Sequence, residues 1–207
     1  MNRCVIVGGA DIADYDAINS KLCENDFAVY CDCGLKHLNR LKLSPSLIVG
    51  DFDSYEKPKT SVETIVLPCE KDDTDTLYAV KEALNRGYSE FVLVGVIGAR
   101  LDHTLGNVYI LEYLLGKGAH GIIIDDHSEM ELVGETPVFI GGEYAYFSLI
   151  NITGKANSIT VKNAKYPLDN ARIDCGYQYG ISNEVLCGKT ACVSVKDGKL
   201  LLIKIRK

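Results

Sequence analysis

The chain has 207 residues, 47% of them hydrophobic and 24% charged, with a formal net charge of −6. That is the composition of an ordinary globular protein with a real core. It excludes a general nucleic-acid binder, which would carry a basic footprint, so an anionic ligand would need a local cation or a metal ion. Eight cysteines include no Cys-x-x-Cys pair. Cys4, Cys31 and Cys192 lie inside apolar, strand-like runs, where free cysteine behaves as a small hydrophobe. The expectation is a reduced, cytoplasmic protein. Cys4-Val5-Ile6-Val7 is too short for a signal or membrane segment, so neither a membrane nor a nucleic acid is expected as a partner.

In chain order, Arg3 to Val7 reads as a strand, and Gly8-Gly9-Ala10-Asp11 as a tight turn that lets a ligand approach the backbone. A full G-x-G-x-x-G is absent. Ile12 to Asn25 has Ile18 and Leu22 at helical spacing. Phe27 to Cys31 is a second strand that delivers Asp32 at its end, where a nucleotide ribose is often held and where a turn-forming Asp serves equally well. Leu35 to Leu41 predicts a short helix. Leu47-Ile48-Val49 predicts a buried strand whose end releases Gly50-Asp51-Phe52-Asp53-Ser54. After the run Thr64 to Pro68 comes Lys71-Asp72-Asp73-Thr74-Asp75. Helices follow at Asp73 to Arg86 and, beyond the Phe91 to Val94 strand, at Thr104 to Leu115, with Leu105, Val108, Leu111 and Leu115 in phase. Between that strand and that helix stands Gly98-Ala99-Arg100-Leu101-Asp102-His103. Ile122 to Asp125 is the next strand. Alternating strands and helices predict an α/β domain, residues 1–129, with a Rossmann-like, mostly parallel sheet and flanking helices.

From Val138 onward the signals are β only: Tyr144 to Ile150, Ser158 to Lys162, and Thr190 to Lys204 with a type I′ hairpin turn at Lys196 to Lys199. Residues 130–207 are expected to form an all-β sandwich domain.

Acids released by three strand ends at one sheet edge form a site rather than a scatter. Capping explains some of them, since Asp72 or Asp73 with Asp75 would suit the start of one helix and Asp102 that of the next. It does not explain Asp51 and Asp53, because the proline-containing stretch behind them does not continue as a helix. The joint reading is a Mg²⁺ and polyphosphate site. Arg100 could grip phosphate oxygens or neutralise Asp102. His103 could move a proton or hold a structural hydrogen bond, and Lys71 could neutralise phosphate or sit in solvent. Tyr177-Gln178-Tyr179-Gly180-Ile181-Ser182-Asn183-Glu184 could bind a flat heterocycle or form a turn.

Gly50-Asp51-Phe52-Asp53-Ser54, Lys71-Asp72-x-Thr74-Asp75, Gly98-x-Arg100-x-Asp102-His103 with Asn107, Tyr166-Pro167-Leu168, and Gly180-Ile181-Ser182-Asn183-Glu184 stand in the order seen in thiamine pyrophosphokinases, which this sequence resembles over nearly its whole length. The resemblance implies an ATP-dependent diphosphotransferase that moves a pyrophosphoryl group from ATP to the hydroxyl of thiamine, giving thiamine diphosphate and AMP. It implies a homodimer with active sites shared between subunits. By position, Asp51, Asp53, Asp72 and Asp75 would hold Mg²⁺, with Asp51, Asp75, Arg100 and Asp102 carrying the chemistry. Gly8, Gly9, Asp32, Lys71, Asp72, Thr74, His103 and Asn107 are the candidates for ATP, and Ser182, Asn183 and Tyr179 for thiamine. Some family members stack the thiamine ring on a tryptophan; this chain has none.

Overall fold

Six strands whose sequences are almost wholly apolar pair in parallel: β1 (Arg3–Val7), β2 (Phe27–Cys31), β3 (Leu47–Gly50), β4 (Thr64–Val66), β5 (Glu90–Val94) and β6 (His120–Ile124). The computed structural model describes residues 3–53 and 55–207, so Ser54 of the acid-bearing loop lies outside the described residues. The chain divides into two compact units, Met1–Asp126 and His127–Lys207.

In the first unit the strand order is β6-β5-β1-β2-β3-β4. The chain winds outward from β1 to β4, then returns to the other side of β1 for β5 and β6. Open parallel sheets bind ligands beyond the strand carboxyl ends at such a reversal. Val5, Val7, Ala28, Tyr30, Ile48, Val92 and Val94 pack into one buried cluster.

The helices differ from the expected ones in informative ways. The first, α1 (Tyr15–Asn19), has only five residues, not the span to Asn25. Asp26 stops it from extending: its carboxylate accepts from Cys23 N at 2.7 Å and takes both arms of Arg3 at 2.8 and 2.6 Å, a local alternative to helical hydrogen bonding. The stretch expected as a helix from Leu35 is a 3₁₀ helix, Asp32–His37, that begins at Asp32 itself. α2 (Asp75–Asn85) is capped by Thr74, whose hydroxyl accepts from Leu77 N, so the capping role foreseen for Asp72 or Asp73 falls to Thr74; Asp73 pairs with Lys81 at 2.6 Å. α3 (Leu101–Gly116) starts earlier than Thr104 and buries Asn107, Ile110, Leu111 and Leu114. The expected stripe is therefore rotated, with Leu105 half exposed. A helix apolar nearly all round gives no unique face by spacing.

The second unit contains β7 (Ser128–Val133), β8 (Val138–Ile140), β9 (Tyr144–Ile150), β10 (Ala156–Lys162), β11 (Leu168–Ala171), β12 (Gly180–Asn183), β13 (Ala191–Gly198) and β14 (Leu200–Arg206). Antiparallel pairing joins them in the orders β12-β9-β14-β7 and β11-β10-β13-β8. Phe147, Leu149 and Leu202 of the first set share a core with Ile159, Val161, Val193 and Val195 of the second. The hairpin expected at Lys196 to Lys199 does not form. β13 pairs with β10 and β8, while β14 pairs with β7 and β9, so the chain changes sheet there. Gly198, at φ +96°, makes that corner. The strand β7 precedes the expected onset of β signals. Its Glu129 and Glu131 look like a solvated loop, yet both are buried against Lys204, at 3.4 and 2.7 Å.

Candidate functional site

The carboxyl ends of β1, β2, β3 and β5 are drawn together by glycines. Gly8 N donates to Val94 O at 2.9 Å, and Ala10 N to Gly95 O at 2.7 Å. A Cβ on Gly8 would stand 2.6 Å from Gly95 O, and one on Gly9 2.6 Å from Cys33 Cβ. Gly34 packs more tightly still on Val7 O, and Gly50 less tightly, with a Cβ there 3.0 Å from Asp32 Cβ. No side chain fits at Gly8, Gly9 or Gly34, which is what lets the strand ends and their acids approach. His37 locks the turn from below. Its Nε2–H donates to Ala10 O at 2.8 Å, which leaves Nδ1 to accept from Tyr15 O–H at 2.6 Å. Burial lowers its pKa and keeps it neutral.

Three carboxylates meet at this edge. Asp32, Asp51 and Asp75 each offer an oxygen, and these oxygens lie within 4.8 Å of one another. Asp32 is 8% exposed, sits at φ +32°, and has an Oδ1 with no hydrogen-bond partner, while its Oδ2 accepts from Cys33 Sγ–H at 3.3 Å. Asp51 comes from the end of β3 and Asp75 from the first turn of α2. Lys71 reaches both, with Nζ 2.5 Å from Asp51 Oδ2 and 3.1 Å from Asp75 Oδ1.

The charges follow their surroundings. Burial raises the pKa of Asp32 and of Asp75, in the second case against the opposing pull of Lys71. The hydrogen bond from Lys71 lowers that of Asp51. Burial would lower Lys71, but Asp51 and Asp75 outweigh it and the ammonium is held charged.

The other expected residues stand apart from this group. Asp53 is exposed, and its N–H donates to Asp51 Oδ1 at 3.3 Å. Asp72 is exposed and Thr74 is the helix cap. Asp102, expected to converge with Asp51 and Asp75, instead lies in the first turn of α3 in a two-armed pair with Arg100 at 3.0 and 2.6 Å, both side chains exposed. Its place in the carboxylate group is taken by Asp32. His103 is exposed. Asn107 is buried and donates to Val96 O at 2.8 Å, tying α3 to the end of β5.

In the second unit, Asn183 is buried and its amide is used internally. Oδ1 accepts from Tyr166 N at 3.0 Å and Glu184 N at 2.9 Å, and Nδ2 donates to Tyr166 O at 2.8 Å. Ser182 is exposed at φ +58°, with its N–H bound to Ser148 Oγ. Tyr177 and Tyr179 stack at 6.1 Å and are well exposed.

A family model described as thiamin pyrophosphokinase, catalytic domain, matches residues 18–123, and a second, the vitamin B1 binding domain of the same enzyme, matches residues 137–200. The chain belongs to the thiamin pyrophosphokinase family. Among its relatives, the thiamine pyrophosphokinase of Bacillus subtilis is 29% identical over 189 residues, covering 87% of this chain and 88% of the relative. The solved thiamine pyrophosphokinase of Bacillus subtilis superposes with a TM-score of 0.87 at 23% identity over the full length of both chains. That of Geobacillus thermodenitrificans gives 0.84 at 26% identity, over 99% of this chain and 98% of the other. Yeast thiamin pyrophosphokinase gives 0.73 at 15% identity, over 99% and 86%.

Within this family chain, sequence reasoning named Asp32 for a ribose but missed it as the third carboxylate. It also missed Gly34 and Gly95 as the packing points that bring the strand ends together. Glycine directly after a strand, or two residues after a strand-end acid, was the available signal.

Proposed function

We infer that the chain is an ATP-dependent diphosphotransferase that carries the pyrophosphoryl group of ATP to the hydroxyl of thiamine, forming thiamine diphosphate and AMP. The observation that carries this reading is the meeting of Asp32, Asp51 and Asp75 around Lys71 at one sheet edge, in a chain that matches the family's catalytic and vitamin-binding parts in order.

The residues fit a hard divalent ion such as Mg²⁺. The donors are oxygen only, they carry more negative charge than one lysine balances, and Asp32 Oδ1 is a buried acceptor without a donor. Asp32, Asp51 and Asp75 would hold the ion, with exposed Asp53 and Asp72 at its margin. A bound ion would neutralise triphosphate charge and polarise the phosphorus under attack. Gly9 presents exposed backbone at the end of β1, which suits a nucleotide lying there and supports the Rossmann-like reading of the strand order, while Gly8 is buried against Gly95 and holds the strand ends together.

Arg100 is available to phosphate because an exposed ion pair is worth only about 0–1 kcal/mol, so exchanging Asp102 for a phosphate oxygen is easy. Asp102, held below the usual carboxylate range by Arg100, stays ionised. It would orient the thiamine hydroxyl by accepting its hydrogen bond, not store a proton. Positioning and charge neutralisation then supply most of the acceleration. For thiamine, Ser182 and the exposed rings of Tyr177 and Tyr179 are free to touch a heterocycle. Asn183 acts behind them by fixing the Tyr166 to Glu184 corner. The reading includes a cytoplasmic homodimer with sites drawing on both subunits.

Incubation with ATP, Mg²⁺ and thiamine should release AMP in proportion to thiamine diphosphate formed. AMP release independent of thiamine, or faster with a hydroxymethyl pterin, would refute the assignment.

A further inference from the structure

Lys71 lies where the cation of the proposed site belongs. Its Nζ stands 2.5 Å from Asp51 and 3.1 Å from Asp75, and also donates to Pro68 O at 3.3 Å. The side chain is only 16% exposed, so this is a seated ammonium, not a surface pair. One positive charge faces three carboxylates, and the mismatch is visible at Asp32, whose Oδ1 remains unpartnered although the residue is more than nine-tenths buried.

We propose that Lys71 is a built-in counter-ion: it holds the carboxylate cluster together in the free enzyme, must be displaced when a divalent ion binds, and is then released toward the incoming phosphates. The inference rests on the metal reading above and extends it to the order of events. Two cations cannot share these oxygens without strong mutual repulsion, because like charges a few ångströms apart in a partly buried site are weakly screened. Metal alone therefore competes with Lys71 and binds weakly. Metal with a triphosphate binds well, because phosphate oxygens receive the displaced ammonium. Lys71 is thus a positioning residue that couples metal binding to nucleotide binding and discourages idle metal occupancy.

The test is Mn²⁺ titration of metal-free protein, followed by electron paramagnetic resonance, in wild type, K71Q and D75N. K71Q should bind Mn²⁺ alone about tenfold or more tightly than wild type, should melt lower than wild type without metal, and should recover on adding Mn²⁺. On wild type, which needs no variant to fold, acetylation of Lys71 read by mass spectrometry should quicken several-fold at Mn²⁺ concentrations that occupy the site, while exposed Lys162 stays unchanged. Equal or weaker Mn²⁺ binding by K71Q, or unchanged Lys71 labelling in Mn²⁺-occupied wild type, overturns the counter-ion role. If D75N still abolishes Mn²⁺ binding in that case, the metal site itself stands. If D75N binds like wild type, both readings fall.

Discussion

The two units hold their candidate residues in opposite ways. At the edge of the parallel sheet, Asp32, Asp51 and Asp75 crowd around one lysine, and Asp32 keeps a buried oxygen with no partner. In the β unit, Asn183 is as buried as Asp32, yet its amide makes three hydrogen bonds to Tyr166 and Glu184. Unbalanced charge kept in place by a rigid scaffold marks a group waiting for a ligand, whereas a satisfied amide marks a group that holds the scaffold. The difference separates residues that should lose activity without losing stability from those that should lose stability first.

The largest effect should come from the crowded edge. D51N and D75N are expected to lower turnover by roughly 10²–10³-fold, the scale set by removing one preorganised charge-stabilising group, with melting temperature little changed. Collapse of the fold in either variant would blur the contrast; retained turnover would break it. A smaller effect, and of the other kind, is expected for N183A. It leaves the N–H and C=O of Tyr166 without their partner, which should destabilise the chain by about 1–3 kcal/mol and raise the KM for thiamine more than that for ATP. Denaturant unfolding and steady-state kinetics on both substrates measure the two parts. Normal stability with a raised thiamine KM would mean that Asn183 touches substrate directly.

The smallest effect concerns the support beneath the edge. His37 is held neutral in the fold, with its pKa lowered by burial, so the unfolded chain binds its proton more tightly. Stability is full above the ordinary histidine value of about 6.5 and declines as pH falls from there toward the lowered folded value, because the buried ring must then carry a desolvated positive charge. The loss should be about 1 kcal/mol and absent in H37Q. An identical acid slope in the two proteins would remove His37 from this role.

Much of the first unit could be read from the chain, because strands buried on both faces are nearly unbroken apolar runs and their ends are marked by Gly8, Gly50 and acids. Asp51 and Asp75 were legible in that way. The entry of Asp32 into their group was not, since it depends on a turn at φ +32° and on Gly34 packing under Val7, which no periodicity records. Asp102 stands outside that group for a related reason. It follows a strand in sequence, but α3 begins at Leu101, so the side chain sits in that helix's first turn and is paired with Arg100. In the β unit, β9 was legible from its own pattern. β7 was hidden because its glutamates are buried against Lys204, and β13 and β14 were read as a hairpin because a glycine corner between sheets looks like a hairpin turn in sequence. Pairing partners distant in the chain decide both cases.

The central claim is that Asp32, Asp51 and Asp75 jointly hold the divalent ion that carries the triphosphate. Anomalous diffraction from crystals grown with Mn²⁺, thiamine and an inert ATP analogue tests it directly. The account predicts a Mn²⁺ peak coordinated by oxygens of these carboxylates and of the phosphates, with Lys71 moved off Asp51; a Mn²⁺–nucleotide complex bound elsewhere, with Lys71 still seated between Asp51 and Asp75, would contradict it.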